Sequence, residues 1–106
     1  MSSIPDLALA RLSVQAGLLG ALTPSLYGAC VAIEDQLIVL TWYVAPEMTE
    51  AEREDLQIAG TEVIAQFPDG FRIEERFVDV PDRSSALPTA GSWVVLQRGF
   101  RTSGDY

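Results

Sequence analysis

The chain has 106 residues, with fifteen carboxylates against seven arginines, no lysine, no histidine and one cysteine, for a formal net charge of -8. A length near the common domain size, with 48% hydrophobic and 21% charged residues, predicts one folded domain spanning residues 1–106 and not a disordered segment. The charge argues against a nucleic-acid partner, since such domains neutralise phosphates with Lys and Arg, and the lone Cys30 excludes an internal disulfide.

Ser3, Pro5 and Asp6 form a helix start, with a capping hydroxyl, a proline in the first turn and an acid at the positive end of the dipole. Helix 1 is expected over about residues 4–22, ended by Thr23-Pro24-Ser25. It carries two apolar stripes: Leu7, Ala10, Val14, Leu18 and Ala21 on one face, and Leu9, Leu12, Ala16 and Leu19 on another. A helix apolar on two sides is either sandwiched in the core or partly used at an interface, and the core is expected. Strands are expected at residues 26–33 and 37–44, joined through Glu34-Asp35-Gln36 as a hairpin. The second strand alternates Leu37, Val39, Thr41 and Tyr43 with Ile38, Leu40, Trp42 and Val44. Apolar residues on both faces predict a central strand.

Thr49-Glu50-Ala51-Glu52 has the form of a capping box and starts helix 2, expected over about residues 50–67. Leu56, Ala59, Gly60, Val63 and Phe67 make its buried face, and Pro68-Asp69-Gly70 turns the chain. A third strand is expected at residues 71–80, with Phe71, Ile73 and Phe77 on one side and Arg72, Glu74 and Arg76 on the other. Residues 81–91, rich in Pro, Ser and Thr, suggest a long loop. A fourth strand follows at about residues 93–98, and the tail from Gly99 is expected to fray. The resulting αββαββ order predicts an α+β fold: a four-stranded, mainly antiparallel sheet with both helices on one face.

The residue inventory speaks against most catalysis. Without histidine or lysine, a serine or cysteine nucleophile lacks its usual base, and one cysteine cannot build a zinc site. The carboxylates of Glu50, Glu52, Glu54 and Asp55 do not follow an EF-hand spacing, so no catalytic residue, metal or cofactor is expected. Glu74 and Glu75 are adjacent on a strand and therefore point to opposite faces. Glu74 lies within reach of Arg72 and Arg76, whereas Glu75 interrupts an apolar row and is expected at an edge or rim. Gly17, Gly20 and Gly28 are spaced for packing and not for cradling a phosphate.

Membrane insertion is not expected either. The apolar stretch from Leu7 to Leu22 is broken by Arg11, Gln15 and two glycines, and it is short for a bilayer. Tyr27 stands where a lipoprotein cleavage box ending at Cys30 would want leucine. A cytoplasmic protein is the expectation.

What the composition favours is binding. Thirteen of the fifteen carboxylates lie between Glu34 and Asp82, a field that steers a basic partner. Acids at a helix N-terminus also complement its dipole and solubilise the surface, which accounts for Glu50, Glu52 and Glu54 without any partner. Ile58 set among Glu50, Glu54, Asp55 and Glu62 is harder to explain that way, because charge rims around an apolar anchor mark interfaces.

Leu18 to Leu26 with its Thr23-Pro24-Ser25, then Thr61 to Asp69 running into Ile73-Glu74-Glu75, then Trp93-Val94-Val95-Leu96, resembles small acidic bacterial immunity proteins of contact-dependent growth inhibition and related polymorphic toxin systems. The likeness runs from helix 1 through strand 4, and its motifs define a fold and not a catalytic site. It implies a cytoplasmic inhibitor that binds the C-terminal domain of a cognate toxin, often a nuclease, and blocks its active site. The ending Leu96-Gln97-Arg98-Gly99-Phe100 departs from the more charged ending of such proteins. On this reading Glu50, Glu54, Asp55, Ile58 and Glu62 are the first partner contacts, and Glu34, Asp35, Asp79 and Asp82 the second. The rivals are a small acidic adaptor, an oligomer built on Leu9, Leu12, Ala16 and Leu19 of helix 1, and a carboxylate-dependent enzyme with a pocket between helix 1 and the sheet.

Overall fold

A capping box starts the second of two helices and ties it to the loop after the first. The computed structural model describes residues 6–18, 21–81, 86–97, 100 and 102–103. Helix α1 spans Asp6–Gly17; the Ser3 cap and Leu19 lie outside the described residues. Helix α2 spans Glu50–Ile64. The Thr49 hydroxyl accepts from the Glu52 amide at 3.1 Å, while the Glu52 carboxylate accepts from the Thr49 amide at 2.9 Å. The Thr23 hydroxyl donates to the same carboxylate, so the chain leaving α1 is fastened to the first turn of α2. That hydrogen bond, with the one from the Thr49 backbone, holds the Glu52 carboxyl below its ordinary pKa.

Strands β1 (Leu26–Glu34) and β2 (Leu37–Val44) form an antiparallel hairpin whose closing pair is Glu34 and Leu37. Asp35 takes the left-handed conformation in its turn, with φ 56°, which a short polar side chain tolerates. Strand β3 (Arg72–Asp79) lies parallel to β2, and β5 (Ser92–Leu96) lies antiparallel to β1, giving the sheet order β3-β2-β1-β5. The sheet is thus four-stranded and mainly antiparallel, within an α+β architecture. The parallel pair follows from α2. Its fifteen residues rise about 1.5 Å each, carrying the chain back along most of β2 so that the next strand starts beside Leu37.

As expected, β2 is central and apolar on both sides. Ile38, Leu40, Trp42 and Val44 join Ala29 and Val31 of β1 and the buried faces of α1 (Ala10, Val14) and α2 (Leu56, Ala59, Val63) in the main core. Tyr43 points the other way, into a second cluster with Tyr27, Cys30, Ala45, Val80, Leu87 and Phe100. The proline-rich stretch after β3 therefore does more than loop. It holds β4 (Leu87–Pro88), which pairs in parallel with β6 (Thr102–Ser103), and the Tyr43 hydroxyl donates to the Pro88 carbonyl. The expectation of a frayed tail is corrected over this stretch, because Phe100 is buried against Tyr27 at 4.5 Å between ring centroids.

The two tryptophans have different surroundings. Trp42 is fully buried, whereas Trp93 is half-buried, 5.6 Å from the Tyr43 ring, with its indole N–H donated to the Thr89 hydroxyl at 3.2 Å. Helix α1 is also less buried than its sequence suggests. Its first stripe is in the core apart from Leu7, but on the second stripe Leu12 is 54% exposed, Ala16 is exposed and Leu9 is half-buried.

Strand β3 is a sheet edge, and on its solvent face Arg76 pairs with Glu74 at 2.5 Å. Glu75, on the α2 side, accepts the Trp42 indole N–H at 2.9 Å. Gly60 makes that possible, since a Cβ there would stand 2.5–2.7 Å from the Glu75 carboxylate atoms. Burial pushes the Glu75 carboxyl above its ordinary pKa, and the Trp42 hydrogen bond draws it partly back.

Two tests follow from this trio. Gly60→Ala adds about 0.8–1.0 kcal/mol of helix propensity but displaces a charged acceptor worth about 1.5–3 kcal/mol. It should destabilise the protein by about 1 kcal/mol in urea melts, on the difference of those two figures. In a Glu75→Ala background the same substitution should stabilise, and a sign unchanged between backgrounds would uncouple the residues. The second test concerns pH. A carboxyl with a folded pKa above its unfolded one favours folding in acid, and that contribution is lost as pH rises through the interval between the two values. The melting-temperature advantage of Glu75→Gln over the wild type should therefore be largest at neutral pH and shrink as pH falls towards the ordinary carboxylate range; an advantage constant with pH would refute the assignment.

Candidate functional site

The outer surface of the two helices carries the strongest candidate site. Ala16 and Gly17 of α1 face Ala59 and Glu62 of α2, and a Cβ at Gly17 would touch Ala59 at 3.3 Å. Small residues at this crossing leave no side chain to fill the seam between the helices. The seam opens as two contiguous hollows sharing Ala16, Gly17 and Glu62. One, about 480 Å³, is floored by Leu9, Leu12 and Ser13 with Ala65 and Gln66 opposite. The other, about 310 Å³, is lined by Ala21, Asp55 and Ile58. A third hollow, of about 400 Å³, lies farther round α2 between Glu54, Asp55, Gln57, Ile58 and Thr61.

Helical spacing puts Glu54, Asp55, Ile58 and Glu62 on this surface, all exposed, with Ile58 at 58%. Glu50 is exposed in the first turn of α2. The structure therefore brings four of the five residues singled out on helix 2 around adjoining hollows, with Glu50 at the helix start. The second group is scattered. Glu34 and Asp35 sit at the hairpin tip beside the start of β2, while Asp79 pairs in register with Val44 at its other end, roughly 23 Å away at strand rise. Asp82 lies outside the described residues.

The sequence favours the core over an interface for the second stripe of α1, whereas the structure puts its Leu9, Leu12 and Ala16 along one wall and part of the floor of the groove. Their signal was present as the second apolar stripe, but the sequence did not show which stripe the sheet would cover.

The electrostatics of the groove come from where the neighbouring cations go. Arg11 of α1 donates to the Trp93 carbonyl at 3.3 Å. Arg53 of α2 lies over the Phe77 ring, 4.5 Å from its centroid, and reaches Asp79 at 4.0 Å. Both helix arginines are engaged towards the sheet strands, and among the described residues no arginine lines the groove. Asp55 and Glu62 on its rim are left without a cationic neighbour in the groove lining.

Little here is arranged for bond-making chemistry. Burial raises the Cys30 thiol pKa, which keeps it protonated and poorly nucleophilic near neutrality. The half-buried Glu75 carboxylate is taken up by the Trp42 indole N–H and packed against Gly60. Among the described residues no group of three or more Cys, Asp or Glu side chains is placed to hold a metal ion, and no helix is long and apolar enough to cross a membrane.

No curated protein matches the chain. The family described as MafI2 immunity protein matches residues 9–98, from α1 through β5 and just beyond. That span includes both helices of the groove from Leu9 onward and all four strands of the main sheet, and on it the chain belongs to the MafI2 immunity protein family.

Proposed function

We propose that the chain is a non-enzymatic inhibitor acting in the cytoplasm, which binds the toxic domain of a cognate toxin through the exposed face of α2 and occludes a basic active-site surface. The observation that carries this reading is the set of carboxylates around Ile58 with no cation, among the described residues, in the groove they border. A nuclease fits best as the target, because its substrate groove must be basic to hold phosphates, and an acidic protein surface competes for the same charges. Family membership supports the immunity role; the choice of a nuclease rests on charge. Glu50, Glu54, Asp55, Ile58 and Glu62 are the contacts assigned to this face. Glu34, Asp35, Asp79 and Asp82 serve as longer-range steering charges, since those with a described position are too dispersed for one patch.

Co-expression with the product of the adjacent toxin gene, followed by calorimetry and a growth-rescue assay, tests the role itself. In the same system Glu54→Arg/Glu62→Arg should slow association roughly tenfold or more at low salt and flatten its dependence on ionic strength. Unaltered association kinetics in the double variant would take α2 out of the interface.

A further inference from the structure

Occlusion by charge leaves unexplained why α1 presents Leu9, Leu12 and Ala16 along the same seam as the α2 carboxylates. We propose that the α1/α2 groove receives a short amphipathic segment of the partner protein, with one apolar side chain against Leu12 in the first hollow, another against Ile58 in the second, and flanking Arg or Lys side chains on Asp55 and Glu62. This rests on the immunity reading above and specifies its docking mode.

Three observations select that occupant. The floor is apolar and low, made of small residues at the helix crossing and leucines beside it, which suits the apolar stripe of a docked helix. Leu12 in one hollow and Ile58 in the other are both more than half exposed, and apolar side chains so placed act as anchors once water is excluded. The rim is of one sign, because Arg11 and Arg53 are held against β5 and β3. A neutral segment would have to desolvate Asp55 and Glu62 without compensation, whereas a cationic one supplies their counter-charge.

The same rim disfavours a second copy of this chain. A two-fold dimer through the groove is isologous, so Asp55 and Glu62 would meet the same carboxylates across the axis, a juxtaposition that costs affinity.

The test compares the toxin domain's binding to wild-type protein, to Leu12→Ser/Ile58→Ser and to Asp55→Asn/Glu62→Gln, with Glu34→Gln/Asp35→Asn at the hairpin tip as control. The anchor pair is exposed and should leave the melting temperature in place while accelerating dissociation about tenfold or more. The charge pair should chiefly slow association; the hairpin-tip pair, which carries steering charge only, should slow it less and leave the dissociation rate at the wild-type value. Wild-type affinity in the anchor variant would overturn the groove while leaving the immunity role standing.

Absence of any toxin complex with the wild type would instead count against the immunity role. The groove would then be judged by a partner-free probe, an amide-shift titration with a synthetic Leu/Arg amphipathic peptide. Shifts concentrated in residues 9–17 and 55–66 support the assignment; shifts elsewhere, or none, overturn it. A wild-type dimer in light scattering that Leu12→Ser/Ile58→Ser dissolves would also overturn it, in favour of self-association.

Discussion

Strand β2 has two apolar faces, and the rest of the molecule is arranged to keep both dry. Ile38, Leu40, Trp42 and Val44 require a layer on one side, and the two helices supply it. Tyr43 on the other side, next to Cys30 of β1, requires a second layer, which comes from segments that resemble loop and tail in sequence. Leu87 and Phe100 close over that face, and the short β4–β6 pair holds them there. A strand with one polar face would have needed neither β4 nor β6, which is why Leu87 and Phe100 are packed where the composition suggests loop and tail.

Burying Trp42 creates a secondary constraint, because its indole N–H needs an acceptor inside the helix–sheet layer. The acceptor is Glu75, and the space for its carboxylate comes from the missing side chain at Gly60. Helix propensity argues against glycine in the interior of α2, and burial argues against a carboxylate on the inner face of β3. Each unfavourable choice is offset by the other two members of the trio. Placing Glu75 on an edge strand keeps it half in contact with water, so the compensation need not be complete.

The groove has its origin in the helix crossing. Gly17 lies so close to Ala59 that the seam there is lined by backbone and small side chains, with the larger leucines displaced to its sides. The arginines on both helices find better partners on the sheet side, in the Trp93 carbonyl, the Phe77 ring and Asp79. An apolar channel with acidic margins is what remains on the outside. Packing and charge thus act together: the interactions that hold α1 to β5 and α2 to β3 also draw off the cations that would have neutralised the outer helix surface.

Much of this was written locally in the chain. Periodicity marks both helices and all four main strands, the Thr49–Glu52 box starts α2 at the expected residue, and the two-sided pattern of residues 37–44 identifies the central strand, because each signal depends only on residues a few positions apart. The acidic cluster on α2 was legible for the same reason. Tertiary structure decided the rest. That β3 lies parallel to β2, that Phe100 is buried, that Gly60 faces Glu75, and that the second stripe of α1 becomes a groove wall all depend on contacts between residues far apart in sequence. An amphipathic pattern shows that a face wants cover; which element supplies the cover, and which face goes without, is settled only when all the layers compete for the same core.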